Sequence, residues 1–167
     1  MCASILIPER ESSVEETLDP ILAATHDRWT AEADKALGPV MDADATFFQR
    51  WVATRYLSEE FAERLQLEQQ LIDELHPFLC PEAEERLSAQ ADRVRQLRQD
   101  LSRVAHRLGT VPEMIRVARA LMDALRLWYA EIEFAIGRVH LADLSPTAAR
   151  LLEQWERGTL AESCPVW

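Results

Sequence analysis

The chain has 167 residues, 48% hydrophobic and 28% charged, which is the size and make-up of one globular domain with a buried core. Four Gly, eight Pro and no Asn leave few of the turn residues that a β-sandwich or a phosphate-binding loop requires, so the composition points to helices. A formal net charge of −11 argues against DNA, RNA or an anionic membrane as the main partner, because neutralising phosphate takes clustered Lys and Arg.

Residues 1–18 read as an N-terminal arm. Positions 2–7 are apolar but follow no basic stretch and run into Glu9 and Glu11, so they do not read as a secretory signal. Asp19 as a cap with Pro20 at the first helical position, closed by Gly38-Pro39, predicts a first helix over 20–37. Asp42 or Asp44 can cap the second, which runs through Phe48, Trp51 and Phe61 toward Leu75 and is stopped by Pro77 and Pro81. Ser58-Glu59-Glu60 inside it looks like another cap and predicts a kink or break near 57–59. Glu82 to Leu108 forms the third helix, closed by Gly109. Thr110-Val111-Pro112-Glu113 has capping-box spacing for the fourth, reaching about Leu141. Ser145-Pro146 starts a short fifth helix that ends at Gly158, leaving 158–167 as a C-terminal tail.

Short connections make consecutive helices pack antiparallel, so the expected architecture is all-α, an up-down-up-down four-helix bundle over 19–157 with a short fifth helix. Apolar residues at spacings of three and four supply the seams. Ile21, Leu22, Thr25, Trp29 and Ala36 line the first helix, and Leu57, Phe61, Leu65, Ile72 and Leu75 the second. Leu87, Ala91, Val94, Leu97, Leu101, Val104 and Leu108 line the third, and Ile115, Ala118, Met122, Leu125, Trp128, Ile132, Ile136 and Val139 the fourth.

Catalytic signatures are missing: no Gly-x-Ser-x-Gly, no P-loop, no dinucleotide-binding glycine pattern and no His-Glu-x-x-His occur. The Glu-x-x-His pairs of carboxylate-bridged di-iron bundles are absent, and Asp73-x-x-His76 beside Pro77 reads as a solvated helix end. The arginines at 93, 95, 98, 103 and 107 spread around a helix without forming a stripe, so no nucleic-acid surface is expected. Cys2, Cys80 and Cys164 are odd in number and far apart, which fits a reducing cytoplasm without disulfides or a zinc ribbon. One Lys against seventeen Arg points to GC-rich bacterial codon usage, and no apolar run suits a membrane span.

The run Leu71-Ile72-Asp73-Glu74-Leu75-His76-Pro77-Phe78-Leu79 closes the second helix. Together with Thr25-His26-Asp27 on the first, Glu131-Ile132-Glu133 on the fourth and Asp143-Leu144-Ser145-Pro146 before the short helix, it resembles a hemerythrin-like (HHE, cation-binding) domain over about 19–157. The resemblance implies an iron- or oxygen-handling bundle in which the second and fourth helices each give a His and a Glu four residues apart. Registered on Pro77, those positions hold Leu67 and Leu71, or Glu68 and Ile72 after a slip of one. The fourth helix offers Trp128 and Ile132, the third Ala91 or Val94, and His26 alone survives. Hydrocarbon side chains offer a metal no lone pair, so the expectation is a degenerate, metal-free member.

Glu68 sits at the centre of an apolar seam, where an unpaired carboxylate would be costly. His26 and Tyr129 lie at the same level of their helices, so the three form a candidate buried polar cluster joined by a His–Glu or Tyr–Glu hydrogen bond. Solvent exposure of Glu68 and a mononuclear metal or small-ligand site at His26 and Glu68 are the alternatives. Cys80-Pro81 and Cys164-Pro165 raise haem as a further option, against which stand the role of Pro at helix ends and a fourth helix without a Gly-rich stretch. The sequence therefore suggests no cofactor and no catalysis, but an accessory, regulatory or structural subunit that binds a protein partner or a second copy, without membrane insertion. Trp155, Val166 and Trp167 are the candidate partner-binding residues, since Trp is enriched at binding hot spots; the alternatives are that Trp155 packs the short helix onto the bundle and that Trp167 folds back onto it.

Overall fold

The computed structural model describes residues 16–107 and 110–157. Its helices are α1 (Asp19–Met41), α2 (Phe47–Arg55), a π-helical turn (Tyr56–Glu60), α3 (Phe61–Glu74), α4 (Pro81–His106), α5 (Val111–Ile136) and the short α6 (Pro146–Arg157). The only β pairing among the described residues is an isolated bridge between Thr17 and His140. The protein is an all-α bundle with a short C-terminal helix, as the seams require. No helix of the described residues is long and apolar enough to cross a membrane.

Cross-helix pairs give the direction of each element. Asp34 and His26 on α1 meet Arg126 and Glu133 on α5, and Glu32 and His26 meet Arg64 and Glu68 on α3. Rising numbers meet falling numbers, so α1 is antiparallel to both. Arg86 on α4 meets Glu131, near the end of α5. Leu97 to Val104 lie beside Glu113 to Val117, so α4 and α5 are antiparallel as well. The core runs along this stack, with Leu22, Trp29, Leu57, Phe61, Leu101, Met114, Leu121, Leu125 and Trp155 at 2% exposure or less. Of the expected seam positions, Ile21, Ala36, Leu65, Ala91, Ile115 and Val139 are only partly buried and pack around this centre.

Several boundaries differ from the sequence expectation for identifiable reasons. α1 does not stop at Gly38-Pro39 but continues to Met41. Near a helix end Pro39 removes a single backbone donor, and the added turn carries Val40, which is completely buried. The cap of α2 is Thr46 rather than Asp42 or Asp44, in a reciprocal capping box with Gln49. Thr110 makes no side-chain cap bond, so the expected box at α5 does not form, and α5 ends at Ile136, before Leu141. The break expected near 57–59 is a π turn inside a continuous helix, where the Ser58 hydroxyl donates back to the Arg55 carbonyl at 3.1 Å. Leu108, Gly109, residues 1–15 and the tail 158–167 lie outside the described residues.

Residues 16–18, assigned from the sequence to the arm, are tied to the bundle. Leu18 is completely buried, its N–H donates to the Val139 carbonyl at 2.9 Å, and the Asp19 N–H donates to Gly137 at 2.8 Å. The end of α5 thereby satisfies donors at the start of α1. A Cβ at Gly137 would stand 2.4 Å from the Glu133 carbonyl oxygen and 2.8 Å from Asp19 Oδ1. Gly137→Ala is therefore expected to cost about 1–3 kcal/mol by crowding the last turn of α5 and displacing the Asp19 side chain. Denaturant unfolding measures it, and an unchanged midpoint would mean that this junction yields freely.

Candidate functional site: a histidine between two carboxylates

His26 lies four residues after Leu22 and three before Trp29, on the core-facing stripe of α1, and is 3% exposed. Its Nε2 is 2.9 Å from Glu68 Oε1 on α3, and its Nδ1 is 2.7 Å from Glu133 Oε1 on α5. Glu68 is 1% exposed, and its second oxygen accepts the Trp128 indole N–H at 2.7 Å. Glu133 is 31% exposed and is the arm of the network that reaches water. One imidazole ring thus joins three helices.

The rings around it complete the enclosure. Tyr129 stacks on the imidazole at 4.1 Å with the planes 12° apart, and Trp155 of α6 meets it edge-on at 5.4 Å. Trp29 packs in turn on both Tyr129 and Trp155. Arg64, one turn before Glu68, is 3% exposed; its guanidinium lies 5.2 Å from the Trp29 ring and 5.0 Å from the Phe61 ring and donates to Glu32 at 2.5 Å.

Two carboxylates facing the two ring nitrogens favour donation from both, which is the protonated, imidazolium form of His26. Burial is the largest single influence on it and favours the neutral ring. The hydrogen bond and charge of Glu68, followed by those of Glu133, together outweigh burial and raise its pKa above the ordinary 6.5. Tyr129 moves the same way: burial first and the Glu68 charge second push its phenol well above 10, with Arg64 opposing, so it stays protonated. The Tyr129 hydroxyl, the Trp155 indole nitrogen and the Arg64 Nε and Nη1 find no hydrogen-bond partner among the described residues.

The chemical reach of this arrangement is narrow. In the protonated form both ring nitrogens donate, and His26 then offers no lone pair to a metal. The positions at which the resemblance would put further ligands hold Leu67 and Leu71, or Glu68 and Ile72 after a slip of one, with Ala91 or Val94, Ile132, and Trp128, whose nitrogen donates to Glu68, so Glu68 is the one oxygen donor among them. No group of three His, Cys, Asp or Glu among the described residues is arranged to hold a metal ion. The donor set does not fit a di-iron centre.

Of the three residues singled out from the sequence, His26 and Glu68 form a direct hydrogen bond, while Tyr129 stacks on the imidazole and makes no bond to Glu68. Trp155, a candidate partner-binding residue, takes its packing alternative instead: it is completely buried, fills the space between α6 and α1, and is not available to a partner. Val166 and Trp167 lie outside the described residues. Cys80 is exposed and precedes Pro81 at the start of α4, the position where Pro fits a helix for conformational reasons. Sequence reasoning missed Glu133, Trp128 and Arg64 as members of the network. Glu133 follows Tyr129 by four and so shares its face of α5, a signal that would have placed it there.

No family model, curated protein or solved structure matches the chain. The class that fold and site define is an all-α bundle centred on a buried histidine held between one buried and one partly exposed carboxylate.

Proposed function

We propose that the chain is a metal-free, hemerythrin-like bundle that catalyses no reaction and works through its surface, as an accessory, regulatory or structural subunit in the cytoplasm. The observation that carries this reading is the commitment of both His26 nitrogens to Glu68 and Glu133. It closes the centre, where a helical bundle would otherwise hold its metal or cofactor. The outside offers apolar surface in its place. Phe47 and Phe48 are 42% and 62% exposed at the start of α2, where Phe48 stacks on Trp51, and Met41 at the end of α1 is exposed too. Aromatic side chains of this kind anchor interfaces with a protein partner or a second copy.

Protein purified without added metal is expected to contain no stoichiometric iron, manganese or zinc by elemental analysis. Phe47→Ser with Phe48→Ser is expected to keep the melting temperature while removing self-association or capture of the native partner. Two irons per chain surviving dialysis would overturn the reading. One metal per chain that disappears in His26→Ala would favour the mononuclear alternative.

A further inference from the structure

α2 and the π turn pack closely on α4, whereas α3 packs on α6 and stands off from α4. The gap is a groove of about 300 Å3, at the small end of the range for small-molecule sites. Its floor is Leu65, Val94 and the ring of Trp128, and Ala91 keeps it open where a larger side chain would close it. It follows α4 from Ala91 to Arg98, about two turns or ~10 Å.

The two walls of this groove differ in charge: residues 61–74 hold four Asp and Glu against one Arg, and residues 86–98 hold four Arg against one Asp. On α4, Arg86 pairs with Glu131, Arg95 with Asp92 and Arg103 with Asp100. Arg98 is partly buried at the groove edge and has no acidic partner among the described residues. A guanidinium without an acidic partner, beside a trough that joins Leu65, Val94 and Trp128 to the amides of Gln66 and Gln69, is complementary to a carboxylate with a hydrocarbon body. A two-turn trough is far smaller than the roughly 800 Å2 per partner of a stable protein interface, which favours a small molecule over an acidic protein segment.

We propose that the groove between α3 and α4 binds a medium-chain monocarboxylate, its headgroup on Arg98 and its chain along Leu65, Val94 and the Trp128 indole. The assignment goes beyond the surface-subunit reading and does not depend on it, because metal content and partner capture leave the groove untouched.

The test is calorimetric titration of the full-length protein with octanoate and, separately, with octanol, which has the same chain and no charge. Octanoate is expected to bind saturably at one per chain, with octanol about tenfold weaker or worse. Arg98→Gln is expected to weaken octanoate by about tenfold. Ala91→Leu fills the trough and is expected to abolish binding with the melting curve retained. The proposal is overturned if octanoate and octanol bind alike, if either variant binds octanoate as the unaltered protein does, or if no saturable binding appears below about 5 mM. Binding of an acidic peptide without binding of octanoate would overturn it too.

Discussion

Replacing His26 by alanine is expected to destabilise the fold by about 3–5 kcal/mol, the largest single-residue effect outside the apolar core. The substitution removes the cation shared by Glu68 and Glu133, leaving Glu68, at 1% exposure, with the Trp128 N–H as its only partner. It also leaves a hole beneath the Tyr129 ring, where the imidazole stacked. For a chain of this length the loss corresponds to a fall in melting temperature on the order of 10 °C. The same network predicts a pH dependence whose sign follows from the direction of the shift. The folded protein holds the His26 proton above the ordinary 6.5, because the two carboxylates outweigh burial. Below that ordinary value both states are protonated and the stabilisation is complete. As pH rises from there, the unfolded chain releases its proton first, and the contribution declines until pH passes the raised folded-state value. The slope is negative and at most about 1.4 kcal/mol per pH unit. Subtracting the stability curve of His26→Gln from that of the unaltered protein isolates it. A difference that grows with pH above 6.5 would mean that burial wins, that the ring is neutral, and that the imidazolium assignment is wrong.

Glu68→Leu is expected to be nearly as damaging, about 3–5 kcal/mol, although it places hydrocarbon in a hydrocarbon seam. Were Glu68 held by a single hydrogen bond, leucine would be tolerated. Here two buried donors, His26 Nε2 and Trp128 Nε1, lose their acceptor together. The double replacement His26→Leu with Glu68→Leu should cost less than the sum of the single replacements by about 1–3 kcal/mol, since neither charge is then stranded. Glu133, already 31% exposed, turns toward water in that variant. A double-mutant cycle in denaturant reads this coupling directly, and strict additivity would mean that the two side chains do not support each other.

Local chemistry made much of the site legible. That His26 and Glu68 belong to core-facing stripes follows from spacing alone, and so does their shared level, because helix length converts residue number into height at a constant rise. Partner choice is another matter. Glu131 and Glu133 are two residues apart, about 200° around α5. Glu131 pairs with Arg86 of α4 and Glu133 with His26 of α1. Which of them enters the network depends on which neighbour covers each face of α5, and periodicity carries no information about neighbours. Arg64 was hidden for a similar reason: an arginine on a mostly apolar face reads as an edge residue until Trp29 and Phe61 are found beneath its guanidinium.

By itself the sequence determined the helices, their order, the all-α class and most of the core stripes, since caps, prolines and the three-and-four spacing act within a few residues of chain. Tertiary structure decided what each stripe meets. It drew Val40 inward and so carried α1 past Gly38-Pro39, turned Trp155 from a candidate docking residue into a core residue, and stood α3 away from α4 so that a groove opened over Trp128. It also set two carboxylates on one imidazole. These outcomes depend on the rotation and separation of whole helices, quantities fixed by the sum of all side-chain packing and by no short stretch of sequence.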